Sequence, residues 1–372
     1  MARLELAVLP GDGVGPEVTR AALDVLLAVA AGFGHDVAWR EHPVGWAAVR
    51  DGGEPLPAAT LAACRDAAAV LLGAVGHPDA ASAPPGRRPE EGLLRLRAEL
   101  GCFANLRPVR VPDALVASSA LRPEVVRGTD MVIVRELAGG LYYGTPRSWD
   151  AGAGRAVNTL AYGEAEVRRI AEVAFALARA RRGRVASVDK ANVLEVSRLW
   201  RSVVDEVAAG FPDVALEHVL VDRAAMELVL RPTRFDVILT ENLFGDILSD
   251  EAAGLAGSLG VMGSASLGGA TDLYEPVHGS APDIAGRGVA NPIGAIASLA
   301  LMLRHTFGLE EEASAVEAAV EATLESGLRT ADLARGGAAA VGTRPFTDAV
   351  LERLGSAEAG PVPGLAADGR SP

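Results

Sequence analysis

The stretch LELAVLPGDGVGPE, residues 4–17, decides the fold. Its first half is an apolar, strand-like run, and its second half is a glycine-rich turn that opens a helix. Asp36 stands about 20 residues further on, so the segment superficially offers the dinucleotide-binding fingerprint of a Rossmann unit. That fingerprint needs G-x-G-x-x-G, with the third glycine inside the helix for close helix–strand packing. Here the glycines fall at 11, 13 and 15, and Pro16 follows, a residue suited to the first turn of a helix. The first strand therefore feeds a tight strand-to-helix turn of another kind. That turn either serves packing alone or lets a ligand lie close to its bare backbone.

Working outward, further apolar runs alternate with helix-period segments. AAAVLLGAVG (67–76), DMVIVREL (130–137), RVASVDK (184–190), VALEHVLVD (214–222) and FDVILTEN (235–242) read as strands. Residues 15–31, 163–181 and 192–209 read as helices, and 291–327 as two more. This alternation predicts an α/β fold. The turn-rich GHPDAASAPPGRRP (76–89) reads as a mobile surface loop, and residues 356–372, without apolar periodicity, as a disordered tail.

With 372 residues, 49% of them apolar, the chain can bury a large core, in two domains or one large one. No uncharged apolar run reaches the roughly 18 residues of a membrane span, and the N-terminus lacks a signal-peptide layout, which together predict a cytoplasmic protein. A net charge of −13 argues against nucleic-acid and anionic-membrane partners, which require a basic face. Cys64 and Cys102 make neither a disulfide framework nor a metal spacing and read as small buried hydrophobes.

Among 35 basic residues there is a single lysine, Lys190. A guanidinium stays protonated, whereas an amine can surrender and accept a proton, so a position that has kept lysine is a catalytic candidate; chance survival is the alternative. Arg107 precedes a proline and sits in extended or turn backbone. Arg135 follows the run MVIV and emerges at a strand's carboxyl end, where open α/β sheets bind ligands. Arginines converging from separate segments suit a substrate with two carboxylates, although any one of them alone reads equally as a solvated surface charge. Asp246 and Asp250 stand four apart on an expected helix, one face and about 6 Å between them. They either share a hard divalent cation or complement the helix dipole. Asp222, at the end of VALEHVLVD, offers a third oxygen from a strand terminus. Tyr142 in the loop GGLYYG pairs with Lys190 as a plausible proton-transfer couple, or simply packs. The stretch EPVHGSAPDIAGRGVANP (275–292) is a long irregular loop of the kind that is usually functional.

In their joint order these segments resemble the isocitrate/isopropylmalate dehydrogenase family, nearest its isopropylmalate branch. The likeness runs from LPGDGVGPE through RPEEGLLRLR, FANLRP, GGLYYG, SVDKANVLE, NLFGDILSD and EPVHGSAPDIAGRGVANP to the C-terminal helices. The resemblance implies a large twisted mixed sheet shared by two domains, not the Rossmann fold. Residues 1–103 with 257–355 would form the NAD-binding domain, and 104–256 an inserted domain carrying the dimer interface. It implies that Arg97, Arg107 and Arg135 hold the carboxylates of a malate, while Leu93, Leu94 and Val193 receive its C3 alkyl group. Asp246 and Asp250, with Asp222 from the other subunit of a homodimer, would bind Mg²⁺ or Mn²⁺, Asp222 also meeting the substrate. Tyr142 and the other subunit's Lys190 would be the acid–base pair. Val14, Gly76, Glu90, Glu275, His278, Gly279, Ser280, Ala281, Asp283, Ile284 and Asn291 would bind the cofactor. Asp283 on the ribose hydroxyls would favour NAD by repelling a 2′-phosphate.

The implied reaction is NAD-dependent oxidative decarboxylation of 3-isopropylmalate or a close 3-alkylmalate. Alternatives are a tartrate- or homoisocitrate-type oxidase on the same scaffold, and a non-catalytic regulatory subunit. His77 and Asp79 depart from the family pattern in the loop near the substrate, as does Arg95 beside Arg97, which leaves the alkyl group open.

Overall fold

The computed structural model describes residues 1–84, 86–335 and 339–355; the tail expected over 356–372 lies outside the described residues. The strands are β1 (Arg3–Gly11), β2 (Asp36–Glu41), β3 (Ala69–Ala74), β4 (Ala104–Arg110), β5 (Asp130–Glu136), β6 (Ser148–Asp150), β7 (Arg155–Val157), β8 (Arg184–Asp189), β9 (Ala215–Leu220), β10 (Val237–Thr240), β11 (Gly263–Leu267) and β12 (Asp272–Pro276). Ten of them form one mixed sheet in the order β2-β1-β3-β12-β11-β4-β5-β10-β8-β9, and β6 and β7 pair as a separate ribbon. Pairing is parallel at both ends of the large sheet and antiparallel from β12 through β11 and β4 to β5. This is the mixed sheet expected. The runs that read most plainly as strands are those buried on both faces: β3 is buried at every residue and β5 at all but its first.

The glycine turn is closely packed on protein backbone. Gly11 and Gly13 take positive φ, and a Cβ on either would lie 1.9 Å from a backbone carbonyl oxygen, that of Ala74 for Gly11 and that of Ser280 for Gly13. What approaches the bare backbone is therefore protein. Beyond the turn, helix Gly15–Phe33 packs its apolar stripe against the sheet, two residues longer than expected.

Three boundaries correct the sequence reading. The helix expected from residue 192 begins later, as Glu195–Ala208, because Lys190–Leu194 forms a tight turn in which Val193 and Leu194 N–H donate to the Lys190 carbonyl at 3.1 and 3.0 Å. β9 ends at Leu220, and Asp222 lies in the first turn of helix Val221–Leu230, not at a strand terminus. Glu275, read as part of the long loop, belongs to β12 and pairs with Ser264 of β11. In the 76–89 stretch, Pro78–Ser82 forms a 3₁₀ turn capped by the His77 side chain. Among the described residues no helix is long and apolar enough to cross a membrane.

Candidate active site

A cleft of about 470 Å³ opens over the antiparallel centre of the sheet. It brings together Glu90, Leu93, Leu94, Arg97, Arg107, Arg135, Tyr142, Asp246, Glu275, His278 and Gly279, which the sequence scatters over nearly two hundred positions. β4 explains part of this convergence. Alternation along the strand turns Arg107 into the cleft, while Leu106 and Pro108 line a groove elsewhere.

Arg135, at the end of β5, is 1% exposed. Its Nε and Nη2 donate to Asn242 Oδ1 at 3.0 and 2.7 Å, and its Nη1 to Asp246 Oδ1 at 2.5 Å. Arg107 donates to Asn105 Oδ1 at 2.8 Å and Ser249 Oγ at 2.6 Å, and its outer nitrogens approach Asp246 at 3.4 Å and Asp250 at 3.5 Å. Burial, reinforced by Arg135, pushes the Arg107 guanidinium down to about 10. Arg97 is held by Glu275, with Nη2 to Oε1 at 2.6 Å, and although burial works against its charge, this partner raises its pKa.

Asp246 and Asp250 occupy the second and third turns of helix Asn242–Ala253, whose first turn contains no acid; Glu241 caps it by accepting from Leu243 and Phe244 N–H, each at 3.0 Å. The helix-dipole reading of the aspartate pair therefore fails. Burial raises the Asp246 carboxyl, but Arg135 and Arg107 more than offset it and hold it below the usual range. Asp250 moves the other way: burial lifts it, Arg107 opposes, and the Asp246 charge adds to the rise. Two carboxylates a helical turn apart, one strained by the other's charge, form a donor set that a divalent cation would relieve. Within one chain they have no third partner of the right type, since among the described residues no cluster of three His, Cys, Asp or Glu has metal-binding geometry.

The remaining predicted residues divide. The Tyr142 hydroxyl donates to Asp246 Oδ2 at 2.8 Å, and burial together with this bond pushes the phenol up to about 12. Lys190 is not in the cleft of its own chain: its Nζ meets Asp222 Oδ1 at 2.5 Å, and Val193 nearby in sequence is 62% exposed. On the cofactor side, Val14 N–H donates to the Ser280 carbonyl at 2.8 Å, and Gly76 N–H to Asp12 Oδ2 at 2.9 Å. Ala281 holds φ 38, the one positive φ of a non-glycine residue among those described, a strain concentrated at functional loops. Asp283 is exposed and Ile284 half-buried. The Asn291 side chain is already used, accepting from Ile293 N–H and donating to Asp332, each at 3.0 Å. The buried His278 Nε2 has no partner among the described residues.

Sequence reasoning passed over three residues that arrange this site. Asp12 accepts N–H groups of Trp46, Ala47 and Gly76, tying the glycine turn to the loop above it. Asn242, 0% exposed, binds Arg135 through its oxygen and, through its Nδ2, the carbonyls of Leu137 at 3.2 Å and Gly139 at 3.0 Å, so one amide fixes both a guanidinium and the turn leading to Tyr142. Glu136 receives Ala138 and Gly139 N–H at 3.0 and 2.8 Å at the same turn. Only the placement of Asn242 inside NLFGDILSD hinted at such a role.

A family profile described as isocitrate/isopropylmalate dehydrogenase matches residues 5–350. A 3-isopropylmalate dehydrogenase of Halalkalibacterium halodurans is 55% identical over 353 residues, 94% of this chain and 97% of that one. That of Geobacillus kaustophilus is 56% identical, with 94% and 95% covered. Among solved structures, isocitrate dehydrogenase from Methylococcus capsulatus superposes with a TM-score of 0.84 at 36% identity, over 94% of this chain and 99% of that one. A β-decarboxylating dehydrogenase from Thermococcus kodakarensis does so with a TM-score of 0.77 at 38% identity, over 95% and 96%.

Proposed function

Because the chain belongs to the isocitrate/isopropylmalate dehydrogenase family, we propose that it catalyses NAD-dependent oxidative decarboxylation of (2R,3S)-3-isopropylmalate to 2-oxo-4-methylpentanoate, a step of leucine biosynthesis. The observation that carries this reading is the convergence of Arg97, Arg107 and Arg135 in a cleft that Leu93 and Leu94 also line. Guanidiniums grip the two carboxylates of the malate, and leucines accept an alkyl group where a third carboxylate would be desolvated without a partner. The relatives at 55–56% identity are named for this substrate, and none of the findings favours a tartrate or homoisocitrate oxidase. Retention of Tyr142, Lys190 and all three aspartates speaks against a regulatory subunit.

Asp246 and Asp250 would hold Mg²⁺ or Mn²⁺ with Asp222 of the partner subunit, and the ion would supply Lewis-acid polarisation of the C2 oxygen. The loop after β12, residues 277–291, with Asp283 for its ribose, would hold NAD, which would supply the hydride acceptor for C2. Lys190 of the partner subunit takes the hydroxyl proton. The C3–carboxylate bond then breaks, CO₂ leaves, and its electron pair forms an enolate whose C3 is protonated from Tyr142. A phenol pushed up to about 12 keeps its proton until such a base is generated.

The site is composite in this reading. Lys190, Asp222 and Val193 share the outer surface with Met226 at 53%, Leu230 at 57% and Ile247 at 57% exposure, apolar side chains that a second copy would cover. The β6–β7 ribbon, with Trp149 79% exposed, is too small to be stable on its own and suits the same dimer. The two-domain division at 103/104 and 256/257 assigns five strands of the sheet to each part and falls where β11 meets β4.

A coupled assay of NADH and CO₂ with Mn²⁺ tests the proposal. Isopropylmalate should be turned over in preference to methylmalate, tartrate and homoisocitrate, with one CO₂ per NADH; a better rate on either of the last two overturns it.

A further inference from the structure

Tyr143 follows the 3₁₀ turn Gly140–Tyr142, and its hydroxyl donates to the Leu94 carbonyl at 3.0 Å. Leu94 belongs to helix Pro89–Leu100, which places Leu93, Leu94 and Arg97 on one wall of the cleft. The turn belongs to the other wall, where Tyr142 reaches Asp246 and Gly139 is tied to Asn242. One hydrogen bond therefore joins the two walls.

The helix also rests on Pro55 near its start, so the bond to Tyr143 sets the reach of the leucine-bearing turn beyond that contact. A Cβ on Gly92, one turn before Arg95, would lie 2.9 Å from the backbone and ring of Pro55, so the helix is pressed against Pro55 on that side. The carbonyl of Leu94 has a second lone pair beyond its helical bond, which Tyr143 can use without unwinding the helix. Burial pushes the Tyr143 phenol above its usual range, and the hydroxyl remains a donor.

We propose that Tyr143 is a specificity-setting positioning residue: its hydroxyl holds the leucine wall at a fixed reach from Tyr142 and so limits the size of the C3 substituent the cleft accepts. Tyr143 is not among the residues lining the cleft, so it acts through Leu94 and Tyr142 rather than by touching substrate. This assignment rests on the proposed oxidation of a 3-alkylmalate.

The test compares kcat/KM of the wild type, Tyr143→Phe and Tyr143→Leu on 3-methyl-, 3-ethyl-, 3-isopropyl- and 3-isobutylmalate at saturating NAD and Mn²⁺. The ratio between two substrates does not depend on how much of a preparation is folded, so a merely structural loss leaves it unmoved. Loss of one hydrogen bond should raise the isobutyl-to-isopropyl ratio about five-fold in Tyr143→Phe, and at least as far in Tyr143→Leu. Ratios within about two-fold of wild type in both variants overturn this assignment alone. Absence of turnover on every 3-alkylmalate by the wild type overturns the proposed function, and this assignment with it.

Discussion

Arg135 and Lys190 both stand at the carboxyl ends of strands of one sheet, yet their surroundings differ. Arg135 is 1% exposed and is bound by Asn242 and Asp246, themselves tied to the turn carrying Tyr142. The Lys190 side chain is 27% exposed, and its acceptor, Asp222, is 65% exposed. A buried guanidinium must be paired within the chain or the fold is penalised, whereas an exposed ion pair adds little to stability. The arginine floor is thus finished within this chain, and the lysine face, with apolar residues around it, is the side on which the proposed dimer would close.

The sharpest way to break this contrast is Lys190→Arg. Arginine preserves the pair with Asp222 and the charge, so the fold should be untouched, but it cannot take the alcohol's proton. Turnover should fall by about 10²- to 10⁴-fold with NAD affinity unchanged by calorimetry. A variant that keeps more than about a tenth of the activity would return Lys190 to an ordinary surface charge.

Mixing two dead proteins, Lys190→Ala and Asp246→Ala, asks whether the finished and unfinished faces belong to different subunits of one site. A heterodimer would hold one site with both lesions and one with neither. Random re-pairing after reversible dissociation makes about half the dimers mixed, each with one intact site of two, so about a quarter of wild-type activity should return. No recovery, with mixed dimers seen by native mass spectrometry, would place both residues in the same subunit's site.

The same contrast decides what could be read in advance. β3, β5 and β10 announced themselves as apolar runs because both their faces are buried. β4, Ala-Asn-Leu-Arg-Pro-Val-Arg, did not, since the residue it turns into the cleft, Arg107, is charged and its apolar positions are interrupted by Pro108. The run VALEHVLVD crosses from β9 into the first turn of a helix without a change in hydropathy, so nothing marked the boundary before Asp222. Asp246 and Asp250 were legible because one helix supplies both. The Arg97–Glu275 pair joins positions 178 apart, a relation no local spacing encodes, and the roles of Asn242, Glu136 and Tyr143 depend on loops meeting in space.

A smaller effect should expose what finishing the arginine floor costs. Glu136 is fully buried beside Arg135, and burial raises its carboxyl above the ordinary range although Ala138 and Gly139 N–H and Arg169 all oppose the rise. In the pH window between the ordinary carboxylate value and this raised one, the folded protein binds more protons than the unfolded chain. Stability therefore falls as pH rises through that window, by at most about 1.4 kcal/mol per pH unit for one group. Glu136→Gln cannot titrate, so its urea midpoint, followed over a buffer series, should lose that part of the slope. The variant should lie further below the wild type at the acid end, where the wild-type carboxyl is neutral, than at the alkaline end. Glu241, raised by burial in the same neighbourhood, remains in both proteins and cancels in the difference. Equal slopes would mean that Glu136 is ionised at no cost, leaving the buried floor no more expensive to assemble than the exposed lysine face.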